Sequence, residues 1–341
     1  MNILGIESSC DETAAAVVAD GRIVLSSVVS SQVSTHRPYG GVVPELAARK
    51  HIENILPVVN RALEEAGLDM RDIEAVAATQ GPGLVGALLV GFSFAKALAF
   101  ARGLPLVGVN HLDGHLASAF LSDTPPALPC VALLASGGHT AVYHVTSRTT
   151  ATLLGQTRDD AAGEAFDKVA KMMGLGYPGG EVISRRAAAG DPKKIAFSRP
   201  YLDKDKFDFS FSGIKTAAAR HIQAMAGTDP AAGDDIAAGF QEAVADVLCH
   251  KLIHAAEVKQ CRDIVFVGGV AANLRIREKI SARAARAGLR LHVPPLEYCG
   301  DNAAMIAAAG FFRLAASGRQ APFLDKDVYS RNPGPNHHCS E

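Results

Sequence analysis

The sequence contains no tryptophan, no Cys-x-x-Cys pair and almost no net charge. Its six cysteines, at positions 10, 130, 249, 261, 299 and 339, are scattered. That spacing argues against a disulfide framework or a cysteine zinc site and fits reduced thiols in the cytosol. A formal net charge of −1 supplies no global field for nucleic acid, so contact with RNA needs a local patch or a partner. Neither a Walker motif nor a Gly-x-Gly-x-x-Gly in the right context occurs, so a P-loop enzyme and a Rossmann dehydrogenase are not indicated. The opening run, residues 1–6, lacks the basic region and cleavage site of a signal peptide, and a cytoplasmic location is expected. One apolar run, 81–101, is nearly long enough to span a membrane. It contains Lys96 and begins Gly-Pro-Gly, which suits a helix buried between the layers of an α/β domain; no membrane contact is expected.

What is present is a repeated order of elements. A chain of 341 residues suits two α/β domains. Apolar runs at 2–8, 13–19 and 22–30 predict three meandering antiparallel strands. A helical period follows over 43–67, with Leu46, Ile52, Ile55, Leu56, Val59 and Leu63 apolar and Gly67 ending it. A strand at 73–78 runs into a glycine loop, 81–86, that opens the long apolar helix; a strand at 104–109 and a helix complete the set. The order then begins again. Strands are predicted at 130–135, 139–146 and 151–156, and helices at 164–173, 182–189, 213–225 and 236–259. A strand at 264–267, a glycine loop at 268–273, a helix, a strand at 291–293 and an apolar helix at 302–316 close it. The expected fold class is therefore α/β, with the duplicated architecture of the actin-like ATPases (ASKHA, ribonuclease H-like). Two lobes would face a central nucleotide cleft. The expected boundaries are 1–109 for the first lobe and 110–317 for the second, with extra helices at about 160–260. The tail, 318–341, packs on the first lobe or is loose.

The stretch after Val109 carries the sharpest chemical signal. Asn110 is a good helix N-cap, and His111 and His115 follow at i, i+4, one turn apart on one face. Two neutral imidazoles so placed can grip one metal ion. The spacing alone equally describes two ordinary histidines at a helix edge. Their place at the C-terminal end of a buried strand favours function, because open α/β sheets bind ligands there. Asp301, just before the last helix, could add a carboxylate from the second half, making an open site for iron(II) or zinc; by itself it also reads as a helix N-terminal charge. A second pair, His250 and His254, lies inside a long amphipathic helix and reads as core packing.

Four loops support a nucleotide-like ligand: 8–12, 136–140, 177–180 and 268–273. Three are glycine-containing, and glycine lets backbone N–H groups approach phosphate oxygens. Asp167, in a following helix, is a carboxylate of the kind that accepts ribose hydroxyls, or a solvated helix charge. Between 185 and 220 basic residues outnumber acidic ones, with Tyr201, Phe207, Phe209 and Phe211 interleaved. This stretch fits a nucleic-acid contact and, equally, a solvated surface over inward-facing phenylalanines.

Seven motifs in order carry a family resemblance: residues 5–13, 110–115, 134–140, 163–168, 177–180, 268–273 and 299–302. The chain resembles the bacterial tRNA N6-adenosine threonylcarbamoyltransferase family, earlier labelled a glycoprotein endopeptidase, along essentially its whole length. The resemblance implies transfer of a threonylcarbamoyl group from threonylcarbamoyl-AMP to N6 of adenosine 37 in tRNAs that read ANN codons, forming t6A and releasing AMP. It implies iron(II), with zinc or another divalent metal possible, held by His111, His115 and Asp301. It implies adenylate binding by Leu134, Ala135, Ser136, Gly137, Gly138, Asp167, Gly180 and Asn273. Glu12, with Asp11 beside it, falls in an acidic motif implied in turnover. Implied partners are a paralogous subunit of the same fold, a P-loop ATPase subunit and tRNA. Two positions depart from the pattern: Glu181 stands where proline is expected, and Ala135 replaces valine.

The residue types suit this chemistry. An adenine amine is a poor nucleophile and the mixed anhydride is already activated, so the protein must mainly position reactants and stabilise charge. Asp11 or Glu12 is expected to assist deprotonation of the amine. Two other functions compete. A metallopeptidase of the usual helix signature needs a glutamate after the first histidine, where Leu112 stands. An actin-like ATPase, kinase or scaffold fits the glycine loops but not a histidine-bound metal.

Overall fold

The computed structural model describes residues 1–201, 206–224, 230–317 and 325–331. They form two compact units, residues 1–123 with 301–341 and residues 124–300.

The first unit is built on five strands: β1 (Asn2–Glu7), β2 (Glu12–Ala19), β3 (Ile23–Ser31), β4 (Ala75–Gly81) and β5 (Leu106–Asn110). Their order is β3-β2-β1-β4-β5, antiparallel across β1, β2 and β3 and parallel across β1, β4 and β5. A short helix α1 (Val33–His36) is followed by α2 (Pro44–Ala66), α3 (Val85–Arg102), α4 (His111–Ser118) and, from the far end of the chain, α10 (Ala303–Ser317). Strands β1 and β2 are almost wholly buried because helices cover both faces, so they read as continuous apolar runs rather than alternating ones. Helix α3 is the apolar run weighed above as a membrane span. It is long and apolar enough to cross a membrane, but it buries Leu88, Phe92, Ala95 and Ala99 in this unit.

The second unit repeats the plan with β6 (Cys130–Ala135), β7 (Thr140–Ser147), β8 (Thr150–Gln156), β9 (Asp263–Val267) and β10 (Arg290–His292). The order is β8-β7-β6-β9-β10, with the same pattern of antiparallel and parallel pairs. The repeat expected from element order is thus a repeat of strand topology. Helices α5 (Ala162–Met172), α6 (Gly179–Ala187), α7 (Ser212–Ala224), α8 (Pro230–Lys259) and α9 (Leu274–Arg286) belong here. Phe166, Phe209, Phe211, Phe240 and Phe266 fill its core.

The division of the chain differs from the expected boundary at 109/110. Helices α4 and α10 both pack in the first unit. The reason is close approach. A Cβ on Gly5 of β1 would lie 2.2 Å from the Ala303 carbonyl, and one on Gly310 of α10 would lie 2.4 Å from Ala77 Cβ on β4. An alanine-rich helix and two glycines let α10 sit on that sheet nearly backbone to backbone. Part of the tail joins the same unit: Tyr329 N donates to the Gln80 carbonyl and Gly83 N to the Ser330 carbonyl. The remainder of the expected tail, 318–324 and 332–341, lies outside the described residues.

Candidate functional site

Two sites take shape, one in each unit. In the first unit, β5 ends at Asn110, whose side chain accepts from Leu112 N at 2.9 Å and caps α4. That cap starts the helix so that His111 and His115 project from adjacent turns, with ring centroids 4.7 Å apart. Asp301 lies just before α10; the residue that caps α10 is Asn302, which accepts from Met305 N at 3.0 Å. Asp301 Oδ1 lies 3.6 Å from His111 Nε2 and 3.2 Å from His115 Nε2. All three donors fall within 4.8 Å of one another. The expected boundaries put His111, His115 and Asp301 in the second lobe, 110–317; all three belong to the first unit.

Glu7 is the residue that spacing did not single out. It is fully buried at the end of β1 and its Oε2 accepts from His111 Nδ1 at 3.0 Å and from Thr79 Oγ1 at 2.6 Å, while Ser9 N donates to Oε1. Burial pushes the Glu7 carboxyl up, but the His111 imidazole outweighs it and holds it below the usual range. Burial likewise pulls His111 down, and the Asp301 and Glu7 charges overcome it, raising it to about 9. A carboxylate behind a histidine fixes the ring so that the other nitrogen faces a metal. The one available sequence signal was an acid within an otherwise apolar strand.

The donors fit a metal ion. His115 is completely buried, and neither ring nitrogen has a hydrogen-bond partner among the described residues. Buried imidazole nitrogens are costly when left so. Separations of 3.2 and 3.6 Å between the carboxylate oxygen and the two imidazole nitrogens are those of ligands held near 2.1 Å from one shared ion.

Beside this group lies the acidic turn between β1 and β2. His51, fully buried on α2, pins it: Nε2 donates to the Cys10 carbonyl at 2.9 Å and Nδ1 accepts from Thr13 Oγ1 at 2.7 Å. Asp11 is buried, and Glu12 accepts from Ser31 Oγ at 3.1 Å. Burial, followed by the Asp11 and Asp301 charges, pushes the Glu12 carboxyl up to about 9. Glu12 is therefore protonated at neutral pH.

The second unit contains a cavity of about 680 Å³, within the size range of small-ligand sites. Of the residues expected at an adenylate, Gly137, Asp167, Gly180 and Asn273 line it. Leu134 and Ala135 are wholly buried in β6, Ser136 shapes the turn by accepting from His139 N, and Gly138 is exposed on that turn. Asp167 is held by Gly179 N, which donates to its Oδ1 at 2.7 Å. Asn273 caps α9 and donates to Gln241 Oε1 at 2.7 Å. Gly137, Gly180 and Gly269 share a telling property. None has a left-handed φ, and a Cβ on any of them would meet nothing within 4 Å. Neither backbone conformation nor packing requires glycine there; a ligand lying against the wall would. Sequence reasoning did not assign Gly163, Phe166, Arg185 or Leu274 to this site, and gave Glu181 and Ser184 no role in it, yet all six line the cavity.

The remaining candidates fall elsewhere. His250 and His254 are half-buried with parallel rings 6.1 Å apart, against Tyr201 and Phe207, so they are less buried than expected but packed on aromatics. Four cations of the basic stretch are paired: Arg186 with Asp234, Lys194 with Asp235, Arg199 with Asp246 and Lys215 with Asp160. Phe209 and Phe211 are fully buried beneath it, which favours the structural alternative; Lys204 lies outside the described residues.

A family model described as tRNA N6-adenosine threonylcarbamoyltransferase matches residues 23–308. A protein of that name from Desulforapulum autotrophicum is 60% identical over 331 residues, 97% of this chain and 99% of the relative. One from Syntrophobacter fumaroxidans is 54% identical over 338 residues, again 97% and 99%. Among solved structures, the (R)-2-hydroxyglutaryl-CoA dehydratase component A of Acidaminococcus fermentans is similar in fold, with a TM-score of 0.56 at 19% identity over 92% of this chain and 99% of that one. Full-length HypF, in a phosphate- and nucleotide-bound form, aligns with a TM-score of 0.62 at 14% identity over 93% of this chain and 47% of its own.

Proposed function

Because the chain belongs to the tRNA N6-adenosine threonylcarbamoyltransferase family, we propose how its two sites serve that reaction. The protein is an acyltransferase that forms t6A in tRNA. The family match along 97% of the chain carries this over the peptidase and kinase readings. The donor is threonylcarbamoyl-AMP, the acceptor N6 of adenosine 37 in tRNAs reading ANN codons, and AMP the leaving group. The cavity of the second unit receives the adenylate, with Asp167 and Asn273 as polar anchors and the three open glycines against the ligand.

His111, His115 and Asp301 would hold one iron(II) ion; zinc or another divalent ion suits the same donors. When bound, such an ion supplies Lewis-acid polarisation and a template for the reacting group. Glu7 keeps the His111 proton on Nδ1 and so leaves Nε2 free to ligate. Asp11 or Glu12 assists the loss of a proton from the adenine amine, and the raised Glu12 carboxyl suits the part of a donor to that amine. The reaction runs in the cytoplasm with a paralogous subunit, a P-loop ATPase and tRNA, and needs no membrane.

Reconstitution tests the reading. The protein, its partner subunits, threonylcarbamoyl-AMP and unmodified ANN-decoding tRNA are combined, and the digested RNA is examined by mass spectrometry. Threonylcarbamoyl-adenosine is expected; its absence with active partners would return the kinase and scaffold readings. A second expectation concerns the cavity alone. Gly180→Val should weaken AMP binding about tenfold or more, as overpacking against a ligand does. The melting temperature should stay within about 2 °C, since a Cβ at this position meets no protein atom within 4 Å. Unchanged AMP affinity would remove the adenylate from this wall.

A further inference from the structure

The lining of the cavity has a direction. Gly163 starts α5 against the backbone of Ser136 and Gly137, and Gly268 lies against Ala135, so Gly137 and Gly269 share one end. One turn further along α5, Asp167 meets Gly179, and Gly180 and Glu181 follow on the same wall. Beyond them on α6 come Ser184, Arg185 and Ala188, with Leu274 also lining the cavity. The glycine end offers backbone N–H groups and no acid, so it takes the phosphate. The far end offers the Arg185 guanidinium, which stacks on planar rings, so it takes the base. The middle holds two carboxylates. They repel phosphate and accept hydrogen bonds, and the part of a nucleotide that falls there is the ribose.

On the adenylate reading above, we propose that Glu181 is a specificity-determining residue that accepts a ribose hydroxyl beside Asp167. The two acids are not equivalent. Asp167 already spends one oxygen on Gly179 N. Glu181 lines the cavity and has no hydrogen bond or ion pair among the described residues, so its carboxylate has no protein partner to give up to a ligand. Its ordinary alternative role is that of a first-turn acid that stabilises α6 through the helix dipole. That role would leave no trace in ligand discrimination.

The test measures binding of AMP, 2′-deoxyAMP, 3′-deoxyAMP and IMP to the full chain by calorimetry, with Glu181→Gln, Asp167→Asn and Gly180→Val beside wild type. Wild type should prefer AMP to each deoxy probe by about tenfold, the worth of a hydroxyl bonded to a charged acceptor. Glu181→Gln should weaken AMP about tenfold and abolish the preference against one deoxy probe. Asp167→Asn should abolish it against the other. The AMP-to-IMP ratio should not move. Retention of both ribose preferences in Glu181→Gln overturns the proposal, whether or not its melting temperature falls. A changed AMP-to-IMP ratio with intact ribose preferences also overturns it, since the carboxylate would then face the base. Failure of the adenylate reading looks different: wild type does not bind AMP, or Gly180→Val binds it unchanged.

Discussion

Asp301→Ala should purify without its metal and yield no detectable threonylcarbamoyl-adenosine, a loss of about 1000-fold or more, because a Lewis acid contributes several kcal/mol to such a transition state. Elemental analysis of the purified protein checks the first part and the reconstituted assay the second. The prediction rests on the 3.2 Å and 3.6 Å approaches of Asp301 Oδ1 to the two imidazoles and on the unpartnered nitrogens of His115. His115→Ala should behave alike. AMP binding should survive in both, since every residue lining the cavity belongs to the other unit. Full metal content in Asp301→Ala would remove it from the ligand set. Full metal loss with normal transfer would make the ion structural.

Glu12→Ala should lose about 100-fold in transfer, the usual scale for an acid–base group, with AMP binding retained. The informative comparison is with Glu12→Gln. A glutamine imitates the protonated acid, so it should keep most of the activity at pH 7 if Glu12 is a neutral donor, and lose as much as alanine if it is a base. Stability supplies an independent reading. The folded carboxyl titrates at about 9, above the unfolded value near 4.5, so the native state binds the extra proton between those limits. Stability contributed by that proton is present below the unfolded value and is lost as pH rises towards 9. Glu12→Gln carries no such penalty. Its melting temperature should match wild type near pH 4.5 and exceed it increasingly up to pH 9, with a gain of at least about 1 kcal/mol at pH 8. A constant difference across that range would contradict a raised Glu12.

Local pattern made much of this molecule legible. The apolar strand runs, Gly67 and the cap at Asn110 have local physical causes, and the elements they predict are present. The i, i+4 histidines converge because a capped helix leaves no other geometry. What local pattern could not carry was the return of α10 to the first sheet. That depends on Gly5 and Gly310, nearly the full length of the chain apart, meeting partners that neither reveals alone. The expected boundary therefore followed the repeat in element order and put Asp301 in the wrong unit. Glu7 was missed for a related reason: a lone acid in a strand announces burial but not its partner. The basic stretch stayed ambiguous for a similar reason, since Arg186, Lys194 and Arg199 pair with Asp234, Asp235 and Asp246, which lie tens of residues away.

The first unit is made of two segments, with residues 124–300 between them. Synthesis delivers those pieces in an awkward order. Domains generally fold as they emerge, N-terminal first. Here the N-terminal strands leave the ribosome with the surface around Gly5 uncovered, and they stay so until α10 has been made. The middle segment is contiguous and can close while they wait. The earliest-made strands thus belong to the unit completed last, and the histidines of α4 acquire their third donor only when residue 301 arrives. On the reading that these three side chains hold a metal ion, its capture would be an end-of-synthesis event, set by the position of one aspartate in the chain.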